Sequence, residues 1–100
     1  MNFGLNENTI NKINSVFEKH SEIEQAIIYG SRAKGNFRNG SDIDLTLKGQ
    51  NIKHEILSKL NQEIDELNTP YLFDISIFKD LDSVELIEHI NRIGKKFYKK

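Results

Sequence analysis

Apolar positions recur with a helical period in some stretches of the chain and alternate in others, and the two patterns lay out its elements. From about Glu7 to His20, Ile10, Ile13, Val16 and Phe17 fall on one face of a first helix. Ala26-Ile27-Ile28-Tyr29 is a short, partly β-branched run that stops at Gly30, the pattern of a buried strand ending in a turn. Asp42 to Lys48 alternates, with Ile43, Leu45 and Leu47 on one side and Asp42, Asp44, Thr46 and Lys48 on the other. That is a strand with one buried and one open face. Ile52, Ile56, Leu60, Ile64 and Leu67 form the stripe of a second long helix, and Tyr71 to Phe78, opened by Pro70, is the next strand. A third helix has Asp82 as N-cap, Glu85 as its capping-box partner and Leu81 with Leu86 as staple. It buries Ile87, Ile90 and Ile93 and ends at Gly94, after which Lys95 to Tyr98 adds an edge strand.

This order predicts an α+β fold: a small mixed sheet with helices packed on its apolar face, leaving the aspartate side open to a substrate. A length of 100 residues allows one domain, 1–100, and little beyond the sheet and its helices. The net charge of −1 lacks the broad basic face of a nucleic-acid binder, and Lys95-Lys96 with Lys99-Lys100 reads as a solvated tail. With no cysteine, disulfides and thiolate metal sites are excluded, and a reducing cytoplasm is consistent. No apolar run approaches the ~18 residues of a membrane helix, and the N-terminus has no signal-peptide pattern. His20, His54 and His89 lack paired metal spacing and read as surface or helix-end residues, and Tyr29 as core at its strand end.

The chemistry concentrates in Gly30-Ser31-Arg32-Ala33-Lys34-Gly35 and Ser41-Asp42-Ile43-Asp44. Gly30 lets backbone approach a ligand, and Ser31 can cap a short helix starting at about Arg32. Free N–H groups at that start, with the Ser31 hydroxyl, suit a β- or γ-phosphate. Gly35 is followed by Asn36-Phe37 and not by Lys-Ser or Lys-Thr, which argues against a Walker P-loop. On a strand, Asp42 and Asp44 point the same way with α-carbons roughly 6.5–7 Å apart. Their side chains can converge on two hard cations about 3.5–4 Å from each other. Asp74 sits amid apolar residues of the following strand, where a structural role is hard to find. If that strand neighbours the Asp42–Asp44 strand, Asp74 completes a three-carboxylate cluster.

Gly30-Ser31-x-Ala33-x-Gly35, Ser41-Asp42-x-Asp44 and Asp74 resemble the minimal nucleotidyltransferase (MNT) family of the DNA-polymerase-β-type superfamily. The likeness runs from about Ile27 to Phe78, with the last helix and Gly94–Tyr98 fitting the family's ending, and every core motif residue is present. The resemblance implies that Gly30, Ser31 and Arg32 meet nucleotide phosphate. It further implies that Asp42 and Asp44 bind two Mg²⁺ ions and that Asp74 completes the site as metal ligand and proton acceptor. Lys34 and Arg38 lie where such proteins often carry basic residues.

The function so implied is transfer of a nucleoside monophosphate, AMP from ATP, to a hydroxyl with release of pyrophosphate. Nothing remains of the chain to build an acceptor domain, so the acceptor is expected on a helical HEPN-type or substrate-binding partner. In the toxin–antitoxin version of the family, the MNT protein is the antitoxin and modifies a tyrosine of its HEPN partner. Two other functions compete: a non-catalytic module that occludes a partner, and transfer to a small molecule such as an aminoglycoside. No residue selects among ATP, GTP, CTP and UTP.

Overall fold

The computed structural model describes residues 2–100. Helix α1 (Glu7–Glu18) begins where the Asn6 side chain accepts the Thr9 N–H at 2.8 Å. It stops short of His20, whose Nε2 lies 2.6 Å from Glu63 Oε1. Strand β1 (Gln25–Tyr29) leads directly into the five-residue helix α2 (Gly30–Lys34), which Gly35 ends in a left-handed conformation. Strand β2 (Ile43–Lys48), helix α3 (His54–Asp65) and strand β3 (Phe73–Ile77) follow. After a 3₁₀ turn at Phe78–Asp80 come helix α4 (Val84–Ile93) and strand β4 (Lys95–Lys99).

The strands form one mixed sheet in the order β3-β2-β1-β4. β1 is antiparallel to both β2 and β4, while β2 and β3 run parallel, joined by a crossover through α3. The expected α+β fold class is the observed one. α1 and α3 cover one face, and Ile13, Val16, Phe17, Leu60 and Ile64 pack there with Ile28, Ile43, Leu45 and Leu47 in a single core. A bulge in β4 adds to it: Ala26 pairs with Tyr98 and Ile27 with Lys96, so Phe97 is the extra residue. Phe97 and Tyr98 are thereby both buried, and both lie against Phe17, with ring centroids at 6.5 and 5.4 Å. Among the described residues, no helix is long and apolar enough to cross a membrane.

Three local expectations change. The N-cap of α4 is Ser83, not Asp82: its side chain accepts the Leu86 N–H at 3.2 Å, and Ile87 N–H bonds the Ser83 carbonyl to close the first turn. Glu85, three residues after Asp82, signals a capping box, but a serine one position later is as good a cap and the turn closes on it. Of the α4 stripe only Ile90 is fully buried, because α4 leans on β1 beside α2 and is not sandwiched beneath the sheet. The helix therefore borders the aspartate-bearing face on its β1 side. Finally, Thr46 shares that face with Asp44 yet is 0% exposed, its hydroxyl accepting from Ser76 at 3.0 Å. The exposed carboxylates of the face, Asp42 and Asp74, lie toward the start of β2 and β3.

Candidate active site

Sheet register assembles the site. Tyr29 on β1 pairs with Asp44 on β2, and Asp44 pairs with Asp74 on β3. Residues opposite one another in a sheet present their side chains on the same face, so these three form a row across three strands. Asp42, just before β2, is exposed on the same side by the period of two. Thus the carboxylates that the alternation pattern singled out do share a face, and Asp74 joins them because α3 returns the chain parallel to β2.

The turn is fitted to the aspartates. Gly30 has φ +75°, and a Cβ placed on it would stand 2.5 Å from Asp44 Oδ2. Only glycine allows both the left-handed conformation and this approach. Helix α2 starts at Gly30 with Tyr29 in the cap position and no side-chain cap bond. Ser31 is therefore one turn-position inside the helix, not its cap: the strand runs into the helix without an intervening residue. Its carbonyl receives the Gly35 and Asn36 N–H groups at 3.0 and 3.2 Å, leaving the Ser31 side chain partly exposed beside Asp44's neighbour Gly30. Gly30→Ala is expected to cost about 1–2 kcal/mol of stability from the positive φ and to turn the Asp44 carboxylate away. A urea titration on the variant checks this; a midpoint equal to that of the unaltered chain would mean the turn relaxes freely.

Arg32, expected at the phosphates, is placed elsewhere. It is 2% exposed, and its guanidinium donates to the Ser41 carbonyl from Nε (3.1 Å) and Nη2 (3.0 Å) and to the Phe3 carbonyl from Nη1 (2.9 Å). The Phe37 and Tyr71 rings lie 5.2 and 4.9 Å from it. Its donors and its flat faces are both engaged. Arg32 thus ties α2 to the residue immediately before Asp42 and sets the spacing between the Gly-Ser turn and the aspartates. Lys34 and Arg38 are exposed, and Arg38 takes part in the loop through its N–H, 2.8 Å from Ser41 Oγ.

Burial raises the pKa of the Asp44 carboxyl, with the charges of Asp74 and then Asp42 acting in the same direction. The Tyr29 hydroxyl is raised likewise, by burial first and then by Asp74 and Asp44. These aspartates therefore form one electrostatic unit that favours a cation. The donor set suits Mg²⁺, which takes one or two carboxylates and fills its shell with water and phosphate oxygens. Among the described residues no three acidic or imidazole side chains are gathered into a ready-made cage.

Two residues read from the sequence as surface and as core, His89 and Tyr29, stand at the site instead. His89 Nε2 accepts the Gly30 N–H at 3.2 Å, and its ring meets Tyr29 edge-on at 6.0 Å. Tyr29 is buried as expected, but on the aspartate face and outside the main core. Signals for both existed. Once Ile28 is assigned to the core, Tyr29 must point the other way, and His89 shares a helical face with Leu86 and Ile93.

A small mixed sheet of this order, flanked by helices and with a short helix running straight out of β1, is a nucleotidyltransferase-type fold. The family described as polymerase beta, nucleotidyltransferase, matches residues 11–100, and the chain belongs to it. Nothing matches among curated proteins. Among solved structures, the chain is similar to a chain of a toxin–antitoxin complex with AMP-PNP (TM-score 0.71, 21% identity, 96% of this chain and 75% of that one). It is similar also to a chain of a tri-AMPylated Shewanella oneidensis HEPN toxin in complex with MNT antitoxin (TM-score 0.68, 16% identity, 94% and 72%). A chain of the MntA–HepT toxin–antitoxin complex is a further neighbour (TM-score 0.62, 17% identity, 95% and 74%). These likenesses establish a shared fold.

Proposed function

We propose that this chain is a Mg²⁺-dependent nucleotidyltransferase that moves AMP from ATP to a hydroxyl on a helical HEPN-type partner, and so acts as the antitoxin of a pair. The observation that carries the reading is that Asp44 Oδ2 occupies the space a side chain at position 30 would need, which sets a turn suited to phosphate against the first carboxylate of the row Asp44–Asp74. The structural neighbours support the nucleotide, one being a complex with AMP-PNP, and the acceptor, another being an AMPylated HEPN toxin bound to an MNT antitoxin.

The residues divide the work by position. Gly30 brings the turn up to the β- and γ-phosphates, its own N–H being taken by His89, and Ser31 meets them through its hydroxyl. Asp42 and Asp44, with Asp74, would hold two Mg²⁺ ions, which when bound neutralise charge on the phosphates and the leaving group. The acceptor oxygen bonds to the α-phosphorus as the bond from that phosphorus to the bridging oxygen of the β-phosphate breaks, releasing pyrophosphate. Asp74, the exposed member of the row, receives the hydroxyl proton. The shallow open face positions an acceptor poorly and excludes little water, so the partner completes the site.

The test is incubation of the chain with α-labelled ATP, Mg²⁺ and a HEPN-type protein, followed by intact mass of both. One or more added AMP groups on the partner, absent with Asp42→Asn, is the expected result. Inhibition of the partner with no mass change, equally strong when Asp42, Asp44 and Asp74 are all asparagine, would replace transfer by occlusion. Modification of a small molecule by the chain alone would remove the protein acceptor.

A further inference from the structure

We propose that His89 of α4 is a positioning residue of the nucleotide site: it accepts the Gly30 N–H and so fixes the Gly-Ser turn against Asp44 in the orientation that phosphate binding requires. The proposal rests on the nucleotidyltransferase reading and adds a residue that lies outside the motifs of β1, β2 and β3. Gly30 is poorly held by other means. α2 has no side-chain cap, its first residue has a positive φ, and five residues make a short helix with little stability of its own. The Gly30 N–H is one of the amides that such a helix start leaves without a partner. His89 Nε2 supplies that partner at 3.2 Å, from an element far away in sequence.

The imidazole is itself held. The ring stands edge-on to Tyr29, with centroids 6.0 Å apart and planes at 79°, and Ile90, the next residue, is buried. At the end of α4, Gly94 comes so close to the sheet that an added Cβ would lie 2.7 Å from Ile27 Cγ2, which seats the helix on β1. With Nε2 as acceptor, the ring carries its proton on Nδ1. α4 thus reaches the site through one acceptor atom, and Tyr29 and Gly30, adjacent in sequence, are both engaged by the same ring.

The experiment compares His89→Phe, which keeps a flat ring for the Tyr29 contact but has no acceptor, with His89→Gln, whose amide oxygen restores one. Affinity for Mg-ATP is measured by calorimetry on the folded chain, with Mn²⁺ affinity as a second readout and apo melting temperature as a check on folding. His89→Phe is expected to weaken Mg-ATP binding on the order of tenfold, the upper range for one hydrogen bond, with Mn²⁺ affinity unchanged. His89→Gln should stay within about threefold of the unaltered chain. Equal Mg-ATP affinity in all three proteins would overturn the inference and leave the nucleotidyltransferase reading standing. Equal weakening in both variants would also overturn it, since ring packing and not the acceptor would then matter. If the unaltered chain binds no Mg-ATP, the nucleotidyltransferase reading fails and this inference with it. A variant that does not fold is replaced by His89→Leu against His89→Asn, judged by the same comparison.

Discussion

Arg32→Ala is expected to lower stability by about 3–5 kcal/mol, the largest effect of any single substitution considered. The change strips the Ser41 and Phe3 carbonyls of their donors and opens a cavity between Phe37 and Tyr71. The Phe3 carbonyl, left buried without a partner, costs about 1–3 kcal/mol and the half-buried Ser41 carbonyl less, and the lost side-chain contacts add to this. A small domain has only ~5–15 kcal/mol in total, so the variant will sit near its unfolding threshold at ordinary temperature. Arg32→Lys should fall between, because a single ammonium cannot span both carbonyls as the planar fork does. Urea denaturation of the three proteins decides it: a loss under about 1 kcal/mol for the alanine variant would mean the loop before Asp42 is held by other contacts. The same series bears on function, since Arg32→Lys, if folded, leaves every carboxylate in place and alters only their distance from the turn.

Asp44→Asn is expected to abolish transfer, at least a hundredfold, while leaving the unliganded fold as stable as before or more so. The lower bound follows from metal sites generally, where loss of an outer-shell partner alone lowers affinity or activity ten- to a hundredfold. The stability gain follows from linkage. The Asp44 pKa is raised in the folded protein by burial, then by Asp74 and Asp42, so the folded state holds its proton to higher pH than the unfolded state. Stability therefore falls as pH rises from the ordinary aspartate value through the raised one, and the loss is complete above it. Asparagine carries no such penalty. Its melting temperature should exceed that of the unaltered chain at neutral pH, and the difference should vanish in acid, where both side chains are neutral. Saturating Mg-ATP, at about a hundred times its dissociation constant, should stabilise the unaltered chain by about 2.7 kcal/mol. The asparagine variant should gain little. A variant that melts lower at pH 7, or that gains as much from Mg-ATP, would take Asp44 out of the ion site.

The sequence by itself determined the element order, the α+β class and the face on which Asp42 and Asp44 lie. The reason is that a period of two or of 3.6 is a local property: Leu45 and Leu47 cannot enter the core without Asp44 turning outward. The strand pattern singled out Asp74 as a carboxylate amid apolar residues, and the family resemblance added its role. Tertiary structure alone decided which groups meet. That β2 and β3 are parallel, with Asp44 beside Asp74, depends on how α3 crosses over. That Arg32 turns away from the turn it flanks depends on two carbonyls, Ser41 and Phe3, brought together by folding. That His89 reaches Gly30 depends on α4 leaning against β1, which its amphipathic stripe permits but does not dictate. Hydrogen bonds between groups 9, 29 and 59 positions apart leave no trace in a periodic pattern, because one partner in each is a backbone atom of a kind common to every residue.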